Sequence, residues 1–115
     1  MKKRSLAGVL FGGVFGAIAL CCATQAAAVD DDAAKALMKK SNCFKCHAID
    51  KKKDGPSYQE TAKKMKGKPD AEQKLYTHLT TNPKVKVEGK EEEHTMLKTK
   101  DDAAVRNVVQ YILAQ

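Results

Sequence analysis

Cys43-Phe44-Lys45-Cys46-His47 sets two thiols three residues apart, with an imidazole directly after the second. Thiols at that spacing can each add across one vinyl group of a single haem, while the following histidine brings a nitrogen to the iron from the same short segment. Three other chemistries use a C-x-x-C pair. Structural zinc is four-coordinate and wants two further Cys or His ligands at comparable spacing, and no second pair follows. A thioredoxin-like dithiol belongs in a βαβ context, whereas the chain downstream carries helical patterns. A disulfide would leave His47 without a role. The string therefore predicts one haem c, covalently attached through Cys43 and Cys46, with His47 as an iron ligand.

Haem iron has a second axial position, which must be filled from the far side of the porphyrin. Met38 lies on the segment that leads into the motif, which puts it on the His47 side. Met65 recurs at helical spacing with Tyr58 and Ala62, a pattern of core filling. Met96 stands on a long polar stretch, 49 residues after His47, and is the expected ligand. His94 is its rival, since imidazole also binds iron well, but among Glu91-Glu92-Glu93 it reads as an exposed loop residue; His78 reads as the polar side of a helix. With His47 and Met96 on the iron no position remains for substrate or oxygen, and thioether ligation raises the reduction potential relative to bis-histidine. This predicts an electron carrier and no enzyme, whereas a vacant sixth position would predict gas sensing or peroxide chemistry. The second ring nitrogen of a ligating histidine normally donates to a carbonyl, and the loop around Gly55-Pro56 offers one.

The elements that must hold these groups follow a secretory signal. Lys2-Lys3-Arg4 is basic, Leu6 to Ala23 is uncharged and apolar, and Ala26 and Ala28 form an A-x-A pattern, so residues 1–28 read as a signal peptide cut after Ala28, with Ala26 the second choice. Retained, the apolar run would nearly reach the ~18 residues of a membrane anchor. Cleavage removes Cys21 and Cys22 and leaves Cys43 and Cys46 as the remaining thiols of a mature domain, residues 29–115. Removing Lys2, Lys3 and Arg4 lowers the formal charge from +7 to +4. With no Trp and with Phe44 its one Phe, a domain of this size needs help to complete a core, and a buried macrocycle supplies it. Nucleic-acid binding finds no support, because the lysines are not interleaved with an aromatic platform.

Four helices are predicted. Asp30-Asp31-Asp32 opens the first, which runs to Ser41-Asn42 and into the haem motif. Ser57 and Glu60 form a capping box for a second, ended by Gly67. Asp70 and Gln73 repeat the box for a third, over Ala71 to Thr80, which Asn82-Pro83 ends. Thr99 and Asp102 signal a last helix whose face is Val105, Val108, Val109 and Ile112. Between Pro83 and Lys98 no helical period is found, and the stretch reads as a functional loop carrying Met96.

Taken together, Cys43-Phe44-Lys45-Cys46-His47 at the end of the first helix, Gly55-Pro56-Ser57-Tyr58 soon after, the late Met96 and a final amphipathic helix bearing Tyr111 make the chain similar to a small class I c-type cytochrome of the bacterial periplasm. The resemblance covers nearly all of residues 29–115. It implies an all-α cytochrome c fold wrapped around one haem, with the Pro56 carbonyl accepting from His47. It also implies near-perpendicular first and last helices, with Ala33, Ala36 or Leu37 meeting Tyr111. The sequence departs from the family in lacking a proline beside Met96 and a Trp in the haem pocket. The function expected is electron shuttling between periplasmic redox proteins by a monomer, with lysines 51, 52, 53, 63, 64, 66 and 68 attracting acidic partners. The alternatives are a haem relay subunit of a larger dehydrogenase, and a sensor or enzyme with a displaceable sixth ligand.

Overall fold

The computed structural model describes residues 27–115. The signal segment, its Ala26 cleavage site, Cys21 and Cys22 fall outside the described residues, apart from Ala27 and Ala28. Among the described residues no helix is long and apolar enough to cross a membrane.

Helix α1 spans Asp31–Lys40. Asp30 caps it by accepting from the Ala33 N–H at 2.9 Å, while Asp31 and Asp32 in its first turn and Lys39 and Lys40 in its last complement the helix dipole. The chain then turns at Asn42, whose φ of 61° lies in the left-handed region that asparagine tolerates. One further turn, α2 over Cys43–Cys46, holds the two thiols. Helix α3, Tyr58–Met65, starts where Ser57 Oγ accepts from Glu60 N–H at 3.0 Å and ends before Gly67, at φ 77°. Helix α4 covers Ala71–Thr80 and α5 covers Asp102–Leu113. Asp101 caps α5 through the Ala103 and Ala104 N–H groups.

Three expectations change. The capping box of α4 does not form, because the Asp70 carboxylate pairs with Lys74 at 2.8 Å one turn on. The stretch after Pro83 is not wholly loop. Lys84–Val87 (β1) and Lys90–Glu93 (β2) pair antiparallel, Lys84 with Glu93 and Val87 with Lys90. The hairpin closes through Glu88 and Gly89, both at positive φ (50° and 80°), as a two-residue primed turn requires. Finally, the face that α1 turns to α5 is Ala34 and Met38, both fully buried, while Ala33 and Ala36 are exposed. Four residues apart, Ala34 and Met38 stack on one side of the helix, and Leu37 flanks them.

The core runs from Ala34 and Met38 through Leu75, Leu79 and Leu97 to Val105, Val108 and Tyr111. Two polar clasps bind its rim. Asp30 and Asn107 exchange bonds, N–H to Oδ1 at 2.8 Å and Nδ2 to O at 2.7 Å, tying the start of α1 to α5. Ser41, 2% exposed, accepts the Lys98 N–H at 2.9 Å and so fixes the chain just after Met96 to the end of α1.

Candidate haem site

The motif is held by the loop that follows it. Gly55 N–H donates to Cys46 O at 2.8 Å, Tyr58 N–H to Ala48 O at 3.0 Å, and the Lys53 ammonium to Phe44 O at 2.7 Å. Cys43 and Cys46 stand half-exposed on α2 and form no disulfide. Burial pushes the Cys43 thiol above its ordinary value, a hydrogen bond with Tyr58 opposing the shift.

His47 leaves α2 in extended backbone and turns its ring back onto the loop, where Nδ1 lies 2.7 Å from Pro56 O. With a carbonyl opposite, Nδ1 is the donor, so Nε2 carries the free lone pair. Tyr58 lies nearly parallel to the ring, 5.2 Å away at 24°, and Phe44 meets Tyr58 edge-on at 6.0 Å. The opposite constraint is Gly55: a Cβ there would come within 2.4 Å of His47 Cε1. Glycine, a carbonyl and an aromatic face together leave the imidazole one orientation.

Of the expected site residues, the fold brings Cys43, Cys46, His47 and Pro56 into one turn. Met96 is 41% exposed, on the wall of an open cavity of about 640 Å³ shared with Thr80, Leu97 and Lys98. The imidazole found near His47 is that of His94, 6.2 Å away between centroids, with His78 packed 4.0 Å from His94. Neither is exposed, contrary to the reading of His94 from its acidic neighbours and of His78 from the polar side of its helix. The signal for this was present: Lys84-Val85-Lys86-Val87 alternates at a strand's period of two, and a hairpin folds position 94 back toward α4, where His78 lies. Burial, followed by the fields of His78 and His47, holds the His94 pKa down to about 4, and burial lowers His78 as well. Among the described residues, no cluster of three or more His, Cys, Asp or Glu could hold a metal ion by itself.

These residues fit a covalently attached haem. Two unpaired thiols one helical turn apart, an imidazole oriented with Nε2 free, and the buried, unpartnered Nδ1 of His94 make a donor set suited to it.

A family model described as cytochrome c matches residues 32–115. No curated protein matches. Among solved structures, the class 1 cytochrome MtoD from Sideroxydans lithotrophicus ES-1 is 52% identical, with a TM-score of 0.72 over 76% of this chain and 97% of that one. Wild-type cytochrome c552 of Nitrosomonas europaea is 25% identical, with a TM-score of 0.54 over 69% and 95% of the two chains.

Proposed function

Because this chain belongs to the cytochrome c family, we propose that it is a periplasmic carrier, its iron held between His47 and Met96, that passes single electrons between redox partners. It is a haem c electron-transfer protein; the ligand pair, compartment and partners are what the proposal adds. When bound, the haem supplies a centre that gains and loses one electron. Cys43 and Cys46 tether it. His47 offers Nε2 in a fixed direction, because Pro56 O takes the Nδ1 proton and Gly55 and Tyr58 close the ring in. Met96 lies between two anchored positions: His94 N–H donates to Pro83 O and Leu97 N–H to Leu79 O, each at 2.9 Å. Two filled axial positions exclude substrate, so no catalysis is expected.

The observation that carries this reading is the His47 ring with Nδ1 on Pro56 O. The test is the far-red sulfur-to-iron absorption band of the oxidised holoprotein. The band is expected in the native protein and absent in Met96→Ala. A native protein without the band refutes thioether ligation.

Residues 1–28 are proposed to be removed on export, as their basic start, apolar run and A-x-A pattern suggest. The intact mass of the purified holoprotein checks this. For docking, Lys51, Lys52, Lys63, Lys66 and Lys68 are exposed, whereas Lys64 pairs with Glu60 at 2.8 Å and Lys53 holds Phe44 O. An acidic redox partner would meet the free lysines. Lys51→Gln with Lys52→Gln should slow reduction by such a partner at low salt and not at high salt; equal rates at every ionic strength reject the docking surface.

A further inference from the structure

The His94 ring stands at the separation from His47 that a second ligand to one iron would have. A ligating imidazole nitrogen lies about 2.0 Å from a first-row metal ion and about 1.1 Å from its own ring centre, so two rings on opposite sides of one ion stand about 6.2 Å apart. The centroids of His47 and His94 are separated by 6.2 Å. Their 60° interplanar angle is compatible with this, because rings bonded to one ion along a shared axis accept any angle about it. His94 Nδ1 is buried with no hydrogen-bond partner, and imidazole binds metals through either nitrogen. The backbone is pinned on both sides of this ring, with the Asn82 side chain donating to His94 O at 2.9 Å and His94 N–H bonded to Pro83 O.

Resting on the His47–Met96 reading, we infer that His94 is a reserve axial ligand that binds the haem iron whenever the Met96 thioether is off it. The exchange breaks one iron–sulfur bond and forms one iron–nitrogen bond. No electron moves, and a neutral imidazole gives up no proton. The iron stays six-coordinate and closed to small ligands such as carbon monoxide, but at a lower potential, since the thioether that raises it is gone.

The test compares ferric holoproteins by electron paramagnetic resonance and voltammetry. Met96→Ala should remain low-spin with a bis-imidazole signature and a lowered potential, and His94→Ala/Met96→Ala should turn high-spin and bind carbon monoxide rapidly once reduced. A high-spin Met96→Ala overturns the inference and leaves the His47–Met96 reading standing. A double variant that stays low-spin also overturns it, since another side chain then does the binding. A native protein lacking the far-red band, with His94→Ala alone high-spin, overturns both, for His94 is then the resident ligand. Should Met96→Ala fail to mature, mild guanidinium that abolishes the band puts the same question: the native chain should stay low-spin and His94→Ala should not, and equal spin states refute the inference.

Discussion

Replacing Gly55 with alanine should unseat the iron's histidine without touching it chemically. The backbone accepts alanine, since Gly55 is not among the residues at positive φ. The obstacle is space: the new Cβ would lie 2.4 Å from His47 Cε1 and 2.8 Å from Nδ1, against an ordinary contact of 3.4 Å or more. The ring must therefore retreat by about 1 Å, which stretches its 2.7 Å bond to Pro56 O beyond the range of a hydrogen bond. Losing that bond costs roughly 0.5–1.5 kcal/mol. Overpacking adds roughly 1–3 kcal/mol. Stiffening of the unfolded chain returns about 0.4–1 kcal/mol. The net expectation is a loss of about 0.5–4 kcal/mol. With a guanidinium m value of about 3 kcal/mol/M, the unfolding midpoint of the ferric holoprotein falls by about 0.2–1.4 M at unchanged m. The Soret spectrum and reduction potential should shift with it. Gly67→Ala is the control: with φ at 77° and no atom within 4 Å of the added Cβ, it should cost about 1–2 kcal/mol in backbone strain and leave the spectrum alone. A Gly55→Ala protein with native midpoint and native spectrum would refute the reasoning.

Three further outcomes are expected. Ser41→Ala leaves the Lys98 N–H without its partner, so stability should drop by about 1–3 kcal/mol in denaturant unfolding, and the far-red band should weaken as the chain beside Met96 loosens. Tyr58 is raised above its ordinary phenol value, first by burial and then by Cys43, so it favours the fold below the unfolded value of about 10 and that contribution disappears as pH rises above it. Phenolate absorbance should therefore show Tyr58 ionising only together with alkaline unfolding. Asp101→Ala removes the cap of α5 and should cost about 1 kcal/mol, seen as a lower Tm with an unaltered haem spectrum.

The attachment motif and the helix ends were legible because each is written in neighbouring residues: C-x-x-C-H, Ser57 with Glu60, Gly67, and Asn82-Pro83. What escaped was set by partners far along the chain. Asp70 looks like a cap until Lys74 competes for it at close range. Strand β2 has no alternation of its own, its four residues all charged and exposed, and becomes a strand only because Lys84–Val87 folds against it. His94 looked solvated for the same reason. Its neighbours Glu91–Glu93 face water on the hairpin, and the Pro83 and Asn82 contacts that turn the chain inward are made across the turn.

The hairpin carries a last consequence, for behaviour in a crowd. Two strands leave two open edges, and an open edge is a template on which another copy can add a strand and begin a fibre. Here a copy that adds to β2 through its own β2 would set Glu91, Glu92 and Glu93 against like charge, whereas one that adds through β1 brings Lys84 and Lys86 to those glutamates, the pairing already made within the hairpin. The strand pair that places His94 therefore resists growth of β2 on β2 and leaves β1 on β2 as the charge-matched route by which copies would add strands.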